Sequence, residues 1–237
     1  MILKAHLKLS NFEDLNTNMG SLFHGFLMQN LGDEMTTRLH GYRYNPLRQR
    51  LRGDVLEIVS LEEGLSRTLE EILNSINEIH LTHRNKTFTV LEKAIEYVDI
   101  NNLISESMNE ENPKRIYKIN FYSPTSFKDG SNHEIFPNIR KIIRSIMLNF
   151  DYFIDNTKIY DYETLEHLTE NIQIIDYNLR STKFELESVK IPAFRGGIVV
   201  RINGNLQILK LINIILKFGV LSGTGVKTSM GMGGIDI

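Results

Sequence analysis

Residues 206–237, "LQILKLINIILKFGVLSGTGVKTSMGMGGIDI", decide between two architectures. "GTGVKTS" has the outline of a phosphate-binding turn with a lysine and a hydroxyl behind it. A P-loop, however, needs glycine directly before the lysine and a helix directly after the hydroxyl. Here Val226 precedes Lys227, and the residues after Ser229 are too rich in glycine to be helical. The stretch before them reads as a buried helix ended by Gly219, where a P-loop would follow a strand. The glycines therefore serve close backbone approach. They form either a tight turn before a last strand, "MGMGGIDI", or the wall of a site for a ligand such as a sugar-phosphate chain, which successive peptide N–H groups can hold.

Working outward, "NIQIIDYNLRSTKFEL" and "IPAFRGGIVVRI" are β-like, and "IYKINFYSPTSF" is a strand that stops at Pro124. Between them "FPNIRKIIRSIMLNFDYF" sets Ile139, Ile142, Ile143, Ile146, Met147 and Phe150 on one helical face, with Pro137 near its start. The order is strand, helix, two strands, helix, strand, the ferredoxin-like pattern. The first half repeats it with an extra helix. "MILKAHLKL" alternates as a strand, Leu15 to Leu31 recur at helical spacing, and "DEMTTRLH" makes a short second helix ended by Gly41. "DVLEIVSL", "EEGLSRTLEEILNSI" and "TFTVLEKAIEYVD" read as strand, helix and strand. The polar "SESMNEENPKR", with Pro113, reads as a linker. The expected fold is α+β: tandem ferredoxin-like (RRM-like, βαββαβ) domains at 1–108 and 114–237, the second ending in a glycine-rich loop.

The 237 residues are enough for one large or two small domains with a real core, and contain no cysteine. Disulfides and thiolate metal sites are thereby excluded, and no run is apolar and long enough to suggest a signal peptide or a membrane span. The expectation is a cytoplasmic protein with no membrane association. Charge is nearly balanced, 27 Lys+Arg against 29 Asp+Glu, which argues against indiscriminate coating of nucleic acid. Locally the balance breaks. "RLHGYRYNPLRQRLR", 38–52, carries Arg38, Arg43, Arg48, Arg50 and Arg52 and no acid, with Tyr42 and Tyr44 interleaved. Guanidinium pairs with phosphate and tyrosine stacks on bases, so this composition suits a nucleic-acid contact, the alternative being a solvated basic strand or loop.

None of the seven histidines stands in a metal-ligand pattern, so neither a metal nor any other cofactor is expected. His40 falls at the expected C-terminal end of the short helix, inside the arginine-rich stretch. The helix dipole favours imidazolium there and the arginines oppose it, which leaves a group able to give and take a proton near neutrality. RNA cleavage by its own 2′-hydroxyl needs such a group beside phosphate-pairing cations. A helix-terminal histidine bonded to backbone carbonyls is the plainer reading of the same position. His24, in "SLFHGFLMQ", flanks the apolar helical face and is a packing histidine unless the two helices bring it near His40.

Three segments together resemble the Cas6 family of CRISPR-associated repeat-processing endoribonucleases, in the RAMP superfamily, especially members serving Csm-type (type III-A) systems. "SLFHGFLMQNLGDEMTTRLHGYRYNPLRQRL" looks like the family's two-helix segment ending in the catalytic histidine. "FYSPTSFKDGSNHEIFPNIRKIIRSIMLNF" looks like its "SPTSF…FP…RS" segment, and "FGVLSGTGVKTSMGMGGIDI" like its glycine-rich loop. The resemblance implies tandem ferredoxin-like domains and metal-independent cutting of repeat RNA in precursor crRNA, leaving a 2′,3′-cyclic phosphate and a 5′-hydroxyl. It places His40 on the catalytic histidine. Many members add a tyrosine and a lysine; here His24 lies nearest the tyrosine position, and Arg43 or Arg48 are the nearest cations. His40 and His24 are thus the expected catalytic residues. The expected RNA contacts are Arg43, Arg48, Arg50, Gly223, Gly225, Lys227, Thr228, Ser229, Gly231 and Gly233. Expected partners are repeat RNA, a Csm-type effector complex by transient hand-off, and a second copy in a homodimer. The alternative is a non-catalytic RAMP-type RNA-binding subunit of a CRISPR effector, which shares the fold and the loop.

Overall fold

The structure, a computed structural model, describes residues 1–155, 157–186 and 189–237. The first half runs β1 (Ile2–Leu9), α1 (Gly20–Gly41), β2 (Leu47–Arg52), β3 (Val55–Ser60), α2 (Glu63–Ser75), β4 (Glu78–Leu81) and β5 (Lys86–Val98), followed by α3 (Ile100–Asn109). Its sheet has the order β2-β3-β1-β5-β4, antiparallel at each pairing. Residues Leu3, Ala5, Leu7 and Leu9 of β1 face a core shared with Phe23 and Leu27 of α1 and Leu65, Leu69 and Leu73 of α2. α1 is broken at Gly32 (φ 76°, ψ 168°), so two helical segments meet there, as the sequence pattern requires. Glu62 caps α2 by accepting the Gly64 and Leu65 N–H groups.

The second half runs β6 (Ile116–Thr125), the hairpin β7 (Phe127–Asp129) and β8 (Asn132–Glu134), α4 (Ile139–Phe153), α5 (Tyr162–Glu170), β9 (Ile172–Leu186), β10 (Val189–Ile202), α6 (Leu206–Ser222) and β11 (Ile235–Asp236). Its sheet order, β11-β6-β10-β9, is again the ferredoxin-like one, with β11 on the edge beside β6. Asn138 caps α4 through the Lys141 N–H, and the helix buries Ile142, Ile143, Ile146, Met147 and Phe150. Each such apolar side chain contributes roughly 1.5–3 kcal/mol relative to exposure. The core extends across the halves, taking in Ile2, Val59, Leu61 and Ile100.

Two expectations change. α6 does not stop at Gly219 but at Gly223, which takes φ 68° at the cap. Gly219 is instead where α6 meets α4: a Cβ there would lie 2.6 Å from Ile146 Cδ1. The expected linker is also partly helical. α3 includes Ser105–Asn109 and is tied to α6 by Lys217 Nζ donating to Ser107 Oγ at 3.0 Å. Among the described residues no helix is long and apolar enough to cross a membrane.

Candidate active site

β2 positions the arginine-rich stretch. In "LRQRLR", Leu47, Gln49 and Leu51 alternate with Arg48, Arg50 and Arg52, and a strand sends such alternating residues to opposite faces. Leu47 and Leu51 enter the first core. Arg48 and Arg50 point the other way, to the end of α6, and are 2 % and 0 % exposed. Arg48 Nε donates to Ser222 O at 2.7 Å, and Arg50 donates to Val220 O at 3.0 Å and Leu221 O at 2.5 Å. The two guanidiniums therefore cap the carbonyl end of α6, where the helix dipole welcomes cations. Burial, with Arg50 alongside, lowers the Arg48 pKa to about 9, which leaves it charged at neutral pH. Both were expected to reach RNA; the structure spends them on joining the halves.

The glycine-rich segment is packed against the protein's own backbone. A Cβ on Gly233 (φ 73°) would lie 2.1 Å from Thr224 O, and one on Gly225 (φ 84°) 2.4 Å from Ser126 O. Gly223 and Gly231 are buried too. "SPTSF", 123–127, supplies the other side of the fastening: Gly233 N donates to Pro124 O at 2.9 Å, Val226 N to Ser126 O at 3.0 Å and Gly234 N to Ser123 Oγ at 2.6 Å. The space the glycines leave is thus taken by protein, not held open. What projects is the turn Lys227-Thr228-Ser229, with Lys227 exposed and in the left-handed region at φ 56°. Among the described residues, the N–H groups of these three donate to no protein acceptor.

The turn brings the histidines into one neighbourhood. His40 is exposed at the end of α1. His24, partly buried on the same broken helix, has its pKa lowered from 6.5, first by burial and then by the charges of His40 and Lys227, with the Ser229 backbone opposing. Its buried Nδ1 has no hydrogen-bond partner among the described residues. His24 is therefore within electrostatic reach of His40 and Lys227 and beside the Ser229 backbone.

Beside them lies a cleft of about 560 Å³ walled by Arg43, Tyr44, β7, α4 and the 225–229 turn. Its cations are Arg43, Lys128, Arg140, Lys141, Arg144 and Lys227, with the buried Arg48 beneath them, and among the described residues no carboxylate lines it. Among the described residues Arg43, Lys128, Arg144 and Lys227 form no salt bridge. Tyrosine rings orient three of the guanidiniums: Arg43 lies 5.5 Å from the Tyr44 centroid, Arg140 5.2 Å from Tyr162 and Arg144 5.9 Å from Tyr160. Sequence reasoning missed Lys128, Arg140, Lys141 and Arg144: Lys128 stands on the short strand β7, and cations on the polar side of an amphipathic helix such as α4 ordinarily face solvent. The arrangement can hold a chain of phosphates.

Comparison with known proteins identifies the family and agrees with the fold. The model of the family described as CRISPR-associated endoribonuclease Cas6 matches residues 119–235. A CRISPR-associated endoribonuclease Cas6 from Streptococcus thermophilus is 31% identical over 227 residues, covering 91% of this chain and 89% of that protein. One from Mycobacterium tuberculosis is 23% identical over 228 residues, covering 92% and 71%. Among solved structures, a Cas6 product complex superposes with a TM-score of 0.77 at 21% identity, over 99% of this chain and 98% of that one.

Proposed function

Since the chain belongs to the Cas6 family of CRISPR-associated endoribonucleases, we propose that it cuts CRISPR repeat RNA without a metal ion, with His40 as the principal proton-transfer group and His24 as its partner. The observation that carries this is a cleft lined by cations and, among the described residues, by no carboxylate, whose Lys227–Ser229 turn acts on His24, which also feels the charge of His40. Such a lining suits phosphate and, among the described residues, offers a divalent cation no carboxylate.

In the proposed reaction the 2′-oxygen before the cut attacks the neighbouring phosphorus and gives up its proton. The bond from phosphorus to the 5′-oxygen breaks, and that oxygen takes a proton. The products are a 2′,3′-cyclic phosphate and a 5′-hydroxyl. Burial keeps the His24 ring neutral, the form that accepts a proton. Lys227, with the free N–H groups of its turn, and Arg43 oppose the charge that builds on the phosphorane. Arginine stays charged and is a poor proton donor, which leaves proton transfer to the histidines. Residues 1–108 thus carry the histidines and 114–237 the phosphate-facing turn, and the product would pass to a Csm-type effector complex.

The test is incubation with repeat RNA in excess EDTA, followed by identification of the product ends. Cutting that leaves a cyclic phosphate and a 5′-hydroxyl is the expected result. Cutting only when divalent metal is restored would overturn the mechanism. Binding without cutting under either condition would make the chain a non-catalytic RNA-binding subunit.

A further inference from the structure

One stripe of α4 fastens three separate pieces of the site. Ser145, Asn149 and Tyr152 recur at i, i+4 and i+7 and so share a helical face. Ser145 Oγ accepts the Gly225 N–H at 3.1 Å, which holds the glycine-rich segment. Asn149 Oδ1 accepts from Arg48 Nη2 at 2.6 Å. The Tyr152 ring meets Tyr44 and Tyr42 edge-on, with centroids 5.2 and 6.4 Å apart, just beyond His40 in the chain. Arg48 extends the fastening, with Nη1 donating to Asn45 O and Nε to Ser222 O.

Arg48 and Asn149 are almost wholly buried, at 2 % and 8 % exposure, and among the described residues no carboxylate pairs with Arg48. A buried guanidinium held only by neutral oxygens is costly compared with apolar packing of the same volume. What it supplies in return is direction: fixed donors that tie the segment after His40, the end of α6 and α4 into one frame. We infer that Arg48 and Asn149 are positioning residues for cleavage, which register His40 against the Lys227 turn from beneath the cleft. This rests on the nuclease reading above.

The experiment separates rate from affinity. Asn149→Ala removes one acceptor and leaves the other hydrogen bonds of Arg48 in place. Its single-turnover cleavage at saturating protein is expected to fall about 10- to 100-fold, the worth of a hydrogen bond to a charged group. Affinity for repeat RNA carrying a 2′-deoxy residue at the cut should stay at the wild-type value. Asn149→Asp, which restores an acceptor oxygen, should recover most of the rate. Wild-type cleavage by Asn149→Ala would overturn the inference. So would a parallel loss of rate, affinity and thermal midpoint that Asn149→Asp does not repair, because that is the signature of fold maintenance alone. A wild-type protein that fails to cut would sink the nuclease reading and this inference with it, whereas an active wild type with an equally active Asn149→Ala sinks only the inference.

Discussion

Arg43 and Arg50 come from the same basic stretch and do opposite work. Arg43 is exposed over the Tyr44 ring at the cleft, while Arg50 has no exposed surface and lies 3.4 Å from Glu57. Composition alone made them equivalent; the alternation in "LRQRLR" was the signal that a strand would bury one set of side chains on each face. Glu57 shows what the buried set does. Burial by itself would raise its carboxyl, but the charge of Arg50 and hydrogen bonds from His6 and Tyr122 outweigh that and hold it at about 2. A carboxyl lowered on folding adds stability above its unfolded value near 4.5 and loses it as pH falls toward 2. The contribution is about 3 kcal/mol at neutral pH. Urea unfolding at a series of pH values should therefore show wild type weakening between about pH 4.5 and 2, and Glu57→Gln losing much less over that window. Parallel curves for the two proteins would remove Glu57 from the acid sensitivity.

Periodicity made most elements legible, since β1, α2, α4, β9, β10 and α6 carry patterns of period 2 or 3.6 strong enough to stand alone. The break in α1 was legible too, because Gly32 separates two apolar runs. α3 was obscured by polar residues that face solvent on its far side, and α6 outran Gly219 because that glycine answers to Ile146 rather than to a helix end. The glycine-rich segment was visible as a loop, but the reason for its glycines was not. They accommodate Thr224, Ser126 and Gly20, contacts that only the folded chain brings together. Gly233→Ala should cost on the order of 1–3 kcal/mol from backbone strain at positive φ, and more from the clash with Thr224. Loss of the segment should weaken RNA binding as well as lower the urea midpoint. An alanine variant with wild-type stability would show that the segment tolerates side chains.

For the whole molecule, the tandem ferredoxin-like architecture followed from strand and helix order, and the family from three segments taken together. The site itself was only half readable. His40 could be chosen because one segment set it at a helix end among arginines, yet its setting depends on residues from the other half of the chain. Tyr44 meets Tyr152, and Arg48 meets Asn149 and Ser222, across separations that no local pattern encodes. The halves consequently form one frame, with His24 and His40 on one and the Lys227 turn on the other. The decisive measurement is single-turnover cleavage of repeat RNA by wild type and His40→Ala, alongside affinity for an uncleavable repeat. Loss of roughly 10²–10⁴-fold in rate with affinity retained is the result expected of a general acid or base. Cleavage by His40→Ala at the wild-type rate would contradict it and remove His40 from the chemistry.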